Sequence, residues 1–328
     1  MLPLRRLFSR GRNALRAFVS YAWSKAGVYR VNHLPVFVSV EPANFCQLAC
    51  LECPVGMSRK EPGLRRTTLS KEHFATILKK VSPYVHTMQF FFQGEPLLND
   101  ALPEMIRMAH DEGLYTIVST NAQRLDAVMA ERLVQAGLSR IIVSMDGWAQ
   151  ASYEQYRQGG DVERCKQAVQ WLHDAKQRTG SRMTIELQCL YLKTNEHEWE
   201  VFRREYKHLG ADRLTMKTAQ LYDYAHGNPL MPSDSRYARY KWDDTEQVYR
   251  LKRTLKNSCR RLWTGCVIDV EGNVLPCCFD KKRQYVFGNI LTDDSLSTIW
   301  HGAKAEAFRR HILQHRADIP ICTNCEGD

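Results

Sequence analysis

The chain has 328 residues, of which 44% are hydrophobic and 25% charged, a composition that allows a sizeable core and excludes a disordered scaffold. Its formal net charge is +10, but the excess lies in two stretches: residues 1–30 contain seven Arg or Lys and no acid, and residues 236–261 contain nine basic and three acidic side chains. A nucleic-acid-binding protein would spread positive charge over one face of its folded body, so we expect no nucleic-acid partner.

Eleven cysteines occur in a chain that shows neither a secretory signal peptide nor the ~20 consecutive apolar residues that a membrane-spanning helix needs. In a reducing compartment such thiols bind metals more often than they form disulfides. We therefore expect a cytoplasmic protein with metal-ligating cysteines.

Residues 1–35 predict a basic amphipathic helix. Leu15, Phe18, Val19 and Ala22 follow the i, i+3, i+4, i+7 spacing of one helix face, with arginines elsewhere. We favour a helix packed against the main domain. A peripheral contact with a membrane surface or another anionic partner, or a transit peptide, is the alternative.

Strand-like and helix-like segments alternate over residues 36–225. The predicted strands are 36–40, 87–92, 115–119, 140–145, 183–192 and 213–217, and the predicted helices lie near 70–81, 101–112, 125–136, 161–178 and 196–208. This alternation indicates a parallel sheet with crossover helices, and six such units favour an α/β fold of the partial (β/α)6 TIM-like barrel type. Chemistry in such folds lies at the C-terminal ends of the strands.

Three cysteines follow the first predicted strand, in the stretch NFCQLACLECPVG: Cys46, Cys50 and Cys53. Three thiolates leave a metal site one ligand short, and the sequence offers no fourth ligand nearby, which disfavours tetrahedral zinc. Thiolates are the usual ligands of iron–sulfur clusters, and three of them suit a 4Fe–4S cluster with one iron left open to a small molecule.

Three short stretches follow later strands: QGEP at 93–96, STNA at 119–122 and SMDG at 144–147. Together with the cysteine loop, and in this order, they resemble the motifs of the radical S-adenosylmethionine (SAM) superfamily. The resemblance implies that SAM binds the open iron and is cleaved reductively to a 5′-deoxyadenosyl radical, which abstracts hydrogen from a substrate. It also implies that SAM is positioned by five residues: Gly94, Glu95, Asn121, Ser144 and Asp146.

Three positions depart from the family pattern. Gln93 replaces the first glycine of GGEP, and Ala122 replaces the glycine of STNG. Glu52 stands before the third cysteine, where the family commonly has an aromatic residue beside the adenine of SAM. We therefore expect unusual adenine contacts but normal SAM cleavage.

After a turn-rich stretch, predicted as a linker over residues 226–258, the chain closes with a cysteine-rich segment over 259–328. This segment resembles the SPASM/twitch extension, which implies one auxiliary 4Fe–4S cluster and two clusters in all. The ligands that we expect are Cys259, Cys277, Cys322 and Cys325, with Cys266 able to replace one of them. A zinc ribbon that ends in C-x2-C is the alternative.

Several further residues are candidates for contacts with the substrate. Cys278 or Cys266 is a candidate hydrogen donor to a substrate radical, and Asp280 is a candidate base, although a bystander thiol and a capped turn are the simpler interpretations. On the fifth strand Glu186 and Gln188 alternate with apolar residues, so we expect them to point into the barrel. The stretch CVIDVEGNV predicts a small hairpin.

The resemblance implies a radical SAM oxidoreductase of the SPASM/twitch subgroup. The favoured reaction is a two-electron oxidation, either a dehydrogenation or a peptide crosslink, of a peptide or an amino-sugar-like small molecule. A flavodoxin- or ferredoxin-type protein is the expected electron donor. The alternatives are a radical SAM epimerase and a non-catalytic iron–sulfur or zinc-binding interaction protein.

Overall fold

A computed structural model describes residues 4–58, 65–292 and 295–325, with side chains from residue 6 onward. In chain order its strands β1 to β11 are Phe37–Val40, Thr87–Phe90, Tyr115–Thr120, Arg140–Ser144, Thr184–Tyr191, Arg213–Thr218, Tyr240–Asp243, Val248–Leu251, Gly265–Ile268, Asn273–Leu275 and Gly288–Asn289. Its helices α1 to α11 are Leu4–Ser24, Pro54–Met57, Lys71–Val81, Leu102–Asp111, Ala127–Gln135, Gln150–Tyr156, Val162–Thr179, Trp199–Glu205, Arg260–Thr264, Leu296–Trp300 and Ala303–His315.

The predicted α/β class is confirmed. Strands β1 to β6 match the six predicted strands, and the pairs β1–β2, β4–β5 and β5–β6 run parallel. Four of the intervening helices begin with a local signal: Ser70, Asp126 and Asp161 cap α3, α5 and α7 through side-chain oxygens, and Pro103 lies in the first turn of α4. Capping fixes where each crossover helix starts, and hence where the preceding loop ends.

The chain divides into two compact units that do not follow its linear order. The first unit contains residues 1–44, 66–117 and 255–328, and the second contains 45–65 and 118–254, so that β3 begins in one and ends in the other. The limits predicted from the sequence, at residues 35, 225 and 258, stay a prediction.

In the first unit β1 lies between β2 and β9 and is parallel to both. β9 continues into β10 as an antiparallel hairpin, with Gly272 in the left-handed region at a φ of 86°, which confirms the predicted hairpin. Strand β11 then pairs with β10. The C-terminal segment therefore extends the same sheet as the first strand of the chain.

In the second unit β4, β5 and β6 form a parallel sheet with two different faces. One face carries Ile141, Val143, Ile185 and Leu187, all of which are buried, and α7 packs against β4 and β5. The opposite face is more polar and includes Ser144 and Gln188. Glu186 and Gln188 lie on this same face, where Glu186 is paired with Arg140, and their direction into a barrel stays a prediction.

The turn-rich stretch after β6 also has structure of its own. It contains the antiparallel hairpin β7–β8, and Leu230, Met231 and Tyr240 are buried in one cluster with Leu48 and Cys50. Residues between 226 and 254 therefore contribute to the core of the second unit beside the cysteine loop.

Helix α1 is packed against the first unit, as we favoured, but the predicted apolar stripe is not the packed face. Leu15, Phe18 and Val19 are exposed, whereas Arg10, Asn13 and Ala17 are buried. Of the helices that the structure describes, none combines the length and the apolar character that a membrane span requires.

Candidate metal centres

The cysteine loop in the second unit is shaped by its own backbone. The amides of Ala49 and Leu51 donate to the carbonyls of Gln158 and Tyr156, at 3.1 and 3.3 Å. A Cβ atom on Gly56 would lie 2.5 Å from the carbonyl oxygen of Cys50 and 2.7 Å from its nitrogen. Only glycine allows this approach, so the chain after Cys53 can fold back onto the backbone of Cys50.

Two N–H groups point at the sulfur of Cys46. The backbone amide of Leu48 lies 3.4 Å from Cys46 Sγ, and Asn121 Nδ2 lies 3.3 Å from it. Gln47 Nε2 in turn donates to Asn121 Oδ1 at 2.9 Å, which fixes the orientation of the amide. N–H groups directed at sulfur stabilise a thiolate, as iron–sulfur ligation requires. In this structure Asn121, predicted as a SAM contact, therefore lies against a predicted cluster ligand.

Cys50 is buried next to a charged pair. Burial raises the pKa of the Cys50 thiol to about 11, and nearby Arg157 opposes this rise. Arg157 Nε donates to Asp146 Oδ2 at 2.6 Å, and the backbone amide of Leu190 donates to Asp146 Oδ1 at 2.7 Å. Burial lowers the pKa of Arg157, but Asp146 and Cys50 outweigh that effect and raise it, so the guanidinium stays charged. Asp146, predicted as a SAM contact, holds Arg157 beside the loop.

A polar row crosses the sheet of the second unit. Ser144, at the end of β4, pairs with Gln188 on β5, which pairs with Thr215 on β6, so the three side chains share one face. The Oε1 atom of Gln188 is buried and accepts no hydrogen bond from the described residues. Because a buried carbonyl oxygen without a donor is costly, this row is suited to a polar ligand. Thr215 was not singled out by the sequence, where it lies in an ordinary strand pattern.

Glu52 has a clear structural role. Its two carboxylate oxygens accept hydrogen bonds from the backbone amide of Tyr222 and from Asn228 Nδ2, both at 2.8 Å. The side chain therefore fastens the cysteine loop to the segment after β6. This explains the acidic residue at a position where the family commonly has an aromatic one.

Gly94 and Glu95 lie after β2 in the first unit. Gly94 has a φ of 65°, and the Glu95 carboxylate accepts a hydrogen bond from the amide of Leu97 at 3.1 Å, which caps a short 3-10 helix. Ala122 has a φ of 62° without being glycine. The left-handed conformation of the STNG turn is thus kept here at a cost of about 1–2 kcal/mol.

The C-terminal thiols of the first unit influence one another and Arg316 electrostatically. Burial, followed by the nearby Cys278, Cys259 and Cys322, raises the pKa of Cys277 well above its ordinary value. Cys259, Cys325 and Cys322 all raise the pKa of Arg316, against the opposing effect of burial. This links the four cysteines that we predicted as ligands.

Two N–H groups also point at these sulfurs. The amide of Phe279 lies 3.4 Å from Cys277 Sγ, and Arg316 Nη2 lies 3.5 Å from Cys325 Sγ. Arg316 was missed by the sequence analysis, because nothing in the spacing of the cysteines indicates which arginine will fold back onto them. As at Cys46, such donors suit thiolate ligands.

The remaining candidates of this region differ in their surroundings. Cys266 lies on β9 and is fully buried, and burial raises its pKa to about 12 with Arg309 as the neighbouring charge. Cys278 is half-buried, with Arg261 Nη1 at 3.5 Å from its sulfur. The carboxylate of Asp280 accepts hydrogen bonds from the amides of Gln284 and Tyr285, at 2.8 and 2.9 Å, which is the geometry of a capped turn.

No disulfide joins any of the eleven cysteines. In the ranges that the structure describes, no three His, Cys, Asp or Glu side chains converge on one metal position. The two ligand sets therefore stay predictions. The chemistry of the donors fits them, since each set combines soft thiol ligands with N–H groups aimed at sulfur.

Comparison with known proteins shows which family the chain resembles. A sequence model of the Radical SAM superfamily matches residues 40–203, and one of the SPASM iron–sulfur cluster-binding domain matches residues 259–326. The chain is similar to a PqqA peptide cyclase of Bradyrhizobium diazoefficiens, at 23% identity over 89% of this chain and 79% of the relative. It is also similar to the S-adenosyl-L-methionine-dependent 2-deoxy-scyllo-inosamine dehydrogenase of Niallia circulans, at 25% identity over 88% and 92%.

Two solved structures share the fold. SuiB of Streptococcus suis, bound to S-adenosylmethionine, has a TM-score of 0.66 and 14% identity over 93% of this chain and 74% of SuiB. BtrN in complex with AdoMet and 2-DOIA has a TM-score of 0.55 and 19% identity over 90% and 94%. The Radical SAM match alone spans half of the chain. The protein thus belongs to the radical SAM superfamily and carries a C-terminal SPASM domain, two features that imply SAM and iron–sulfur clusters as its cofactors.

Proposed function

We propose that the enzyme holds two 4Fe–4S clusters, one bound by Cys46, Cys50 and Cys53 and the other by Cys259, Cys277, Cys322 and Cys325. When bound, the first cluster supplies the electron that cleaves SAM to methionine and a 5′-deoxyadenosyl radical, and the second supplies an electron acceptor. The exclusion of Cys266 from the second set is supported by its burial on β9 beside Arg309.

Within the second unit, this chain's own residues prepare the SAM-binding loop. Leu48 and Asn121 donate to the sulfur of Cys46, and Arg157, fixed by Asp146, keeps a positive charge beside Cys50. The row formed by Ser144, Gln188 and Thr215 is proposed to contact SAM or substrate, on the strength of the buried Gln188 oxygen. The participation of Gly94 and Glu95 in SAM binding stays a prediction from the motif.

We propose that the reaction is a two-electron oxidation. The observation that carries this choice is the SPASM match over residues 259–326, which contains the four proposed ligands Cys259, Cys277, Cys322 and Cys325. Four thiolates are enough to bind every iron of a cubic cluster and leave none for a substrate. Loss of one hydrogen atom to the radical, then of a proton and a second electron, leaves the substrate short of two hydrogens, with 5′-deoxyadenosine and methionine as the other products.

The proposed substrate is a peptide or an amino-sugar-like small molecule. Support comes from the names of similar proteins, which include a PqqA peptide cyclase and a 2-deoxy-scyllo-inosamine dehydrogenase. One solved neighbour, SuiB, is bound to a precursor peptide. A flavodoxin- or ferredoxin-type protein is the proposed electron donor, because cleavage of SAM consumes an electron from outside the chain.

Anaerobic reconstitution with iron, sulfide, dithionite and SAM tests the proposal. We expect about eight irons per chain and formation of 5′-deoxyadenosine. With substrate in D2O we expect a product lighter by two hydrogens and free of deuterium at carbon. Full iron loading without any 5′-deoxyadenosine would instead leave a non-catalytic iron–sulfur protein.

An epimerase is the second candidate, and the position of Cys278 favours it. The thiol is half-buried and lies 3.5 Å from Arg261 Nη1, whereas Cys266 is fully buried. An epimerase product would keep its hydrogen count and carry one deuterium after reaction in D2O. In that case Cys278→Ser would abolish product, whereas an oxidation would continue in this variant.

A further inference from the structure

Helix α1 turns its apolar side to solvent. Phe8 is 76% exposed, Phe18 71% and Trp23 60%, values typical of charged surface residues rather than of large apolar ones. From residue 6 onward, the large apolar side chains of α1 that are exposed are Leu7, Phe8, Leu15, Phe18, Val19 and Trp23. At 100° per residue they fall on one side of the helix and form a continuous stripe, here called the outer stripe.

The opposite side of α1 is fastened to the first unit by polar contacts. Arg10 is buried and donates from Nε and Nη2 to the carbonyl of Ser82, at 2.9 and 2.7 Å, and from Nη2 to that of Glu112 at 2.8 Å. Asn13 Nδ2 donates to the carbonyl of Leu34 and its Oδ1 accepts from the amide of Leu34, both at 2.9 Å. Rotating the helix to bury the outer stripe would break these bonds and leave the carbonyls of Ser82 and Glu112 without the Arg10 donor. The outer stripe is therefore exposed whenever α1 is packed against the first unit.

The charges of α1 indicate what covers the outer stripe. The helix contains five arginines and no acid. Arg12, Arg16 and Trp23 lie along one flank of the stripe at i, i+4 and i+11, with Arg12 and Arg16 exposed. Two copies of this helix packed through their stripes would bring these arginine rows together without an acidic residue to pair them. The phosphate groups of an anionic lipid surface, in contrast, would pair with Arg12 and Arg16.

We propose that α1 lies in the interface of a membrane that contains anionic lipids. The outer stripe enters the boundary between headgroups and acyl chains, Arg12 and Arg16 contact the phosphates, and Trp23 sits at headgroup depth. The buried side of the helix meanwhile keeps its bonds to the first unit, so the enzyme is held at the surface without a conformational change in α1. This surface role is separate from the proposed chemistry.

Vesicle flotation of the reconstituted protein tests the proposal. Vesicles of phosphatidylcholine with phosphatidylglycerol should carry the protein to the top of the gradient, and vesicles of phosphatidylcholine alone should carry much less. The double variant Phe18→Ser/Trp23→Ser should lower the partition coefficient at least about thirtyfold. Arg12→Gln/Arg16→Gln should lower it about 25-fold on the mixed vesicles only. The matched control Val128→Ser removes a 68% exposed apolar side chain from α5 and should change nothing.

A depth measurement adds a readout that does not depend on affinity. Brominated lipids should quench tryptophan fluorescence in the wild type, and Trp23→Phe should abolish most of that quenching. Because all substituted side chains are exposed, iron content and thermal midpoint should match those of the wild type, which shows that the variants fold. If the protein floats with the mixed vesicles but forms no 5′-deoxyadenosine, the proposed function is contradicted and the membrane contact is still supported.

Three results would overturn the membrane contact. The first is equal flotation of wild type and Phe18→Ser/Trp23→Ser. The second is absence of flotation with the mixed vesicles. The third is a lipid-free dimer, measured by light scattering, that Phe18→Ser/Trp23→Ser converts to a monomer, because the outer stripe would then be covered by a second copy.

Discussion

The two groups of cysteines in this protein are assembled in different ways. Cys46, Cys50 and Cys53 lie within eight residues, and their loop is shaped by hydrogen bonds and by the close approach of Gly56 to Cys50. The C-terminal cysteines are spread over a long segment, between Cys259 and Cys325, and only the folded chain brings Arg316 to Cys325. The first group is thus gathered by local sequence, although its loop is held by carbonyls distant in the chain, and the second depends on tertiary structure throughout.

The polar groups around the sulfurs also differ. At Cys46 the donors to the sulfur are neutral, a backbone amide and the side chain of Asn121, and the charged Arg157 acts on Cys50 from beside the loop. In the C-terminal segment Arg316 and Arg261 donate directly to Cys325 and Cys278, while the neutral amide of Phe279 donates to Cys277. A guanidinium that donates directly stabilises a thiolate more strongly than a neutral donor does. None of these donors is shared between the two groups. The two groups should therefore fail separately when perturbed.

The largest expected effect comes from removing one cysteine of each group. Cys50→Ala should lower iron from about eight to about four per chain and reduce formation of 5′-deoxyadenosine by at least about 10³-fold. Cys322→Ala should lose a similar amount of iron yet keep 5′-deoxyadenosine formation within about tenfold, while substrate oxidation stops. Loss of SAM cleavage in both variants would show that the two groups are not independent.

Gly56→Ala probes the local origin of the first group. The added Cβ meets the Cys50 backbone, which has no room to move, so we expect a loss of more than about 3 kcal/mol and of the SAM-binding iron. Gly159→Ala is the matched control, because its Cβ would meet nothing within 4 Å and only the left-handed φ of 79° resists it. Denaturant unfolding measures the loss of stability in both variants, and iron analysis measures the loss of the cluster. Equal losses in the two variants would mean that the close approach to Cys50 is not what requires glycine at position 56.

Acid should weaken the tertiary contacts around the C-terminal segment. His33 packs edge-on against Trp300, and its backbone carbonyl oxygen lies 3.0 Å from His301 Nε2. Burial lowers the pKa of the His33 imidazole from 6.5 to about 4. The unfolded chain binds a proton below pH 6.5 while folded His33 stays neutral, so stability is constant above that pH and falls as the pH drops toward 4. From pH 7.5 to pH 5 the loss is about 2 kcal/mol.

Urea unfolding of the metal-free protein across this range measures the effect. His33→Gln should flatten the pH dependence by that amount, whereas His208→Gln, at an exposed position, should leave it unchanged. An identical slope in wild type and His33→Gln would remove His33 as the cause.

The smallest expected effect concerns Glu52. A glutamine has one acceptor oxygen where glutamate has two, so Glu52→Gln turns an NH2 group toward either the Tyr222 amide or Asn228 Nδ2, both of which are donors. We expect this to cost about 1–2 kcal/mol. The SAM dissociation constant should not change, which isothermal titration can check. Glu154→Gln, on the exposed side of α6, is the control. Weaker SAM binding without a loss of stability would indicate that Glu52 contacts the adenine of SAM instead.

The sequence indicated the elements well because their signals are local. Strand periodicity, helix caps and the short motifs each lie within about ten residues, and β1 to β6 appear where they were expected. The role of Glu52 and the approach of Arg316 depend on partners far away in the chain, which no local pattern specifies. For α1 the amphipathic pattern was correct, but the pattern alone does not say which side meets the protein.

The position of β1 has a consequence for dissecting the chain. Its four residues, FVSV, have β2 on one side and β9 on the other, so both sets of backbone hydrogen-bonding groups are used. Cutting the chain before β9 would turn β1 into an open, apolar edge strand, the kind of edge that recruits other chains and aggregates. The SPASM segment therefore covers the edge of β1 in addition to carrying the iron–sulfur cluster-binding match, and a truncated catalytic half should aggregate more readily than the full chain.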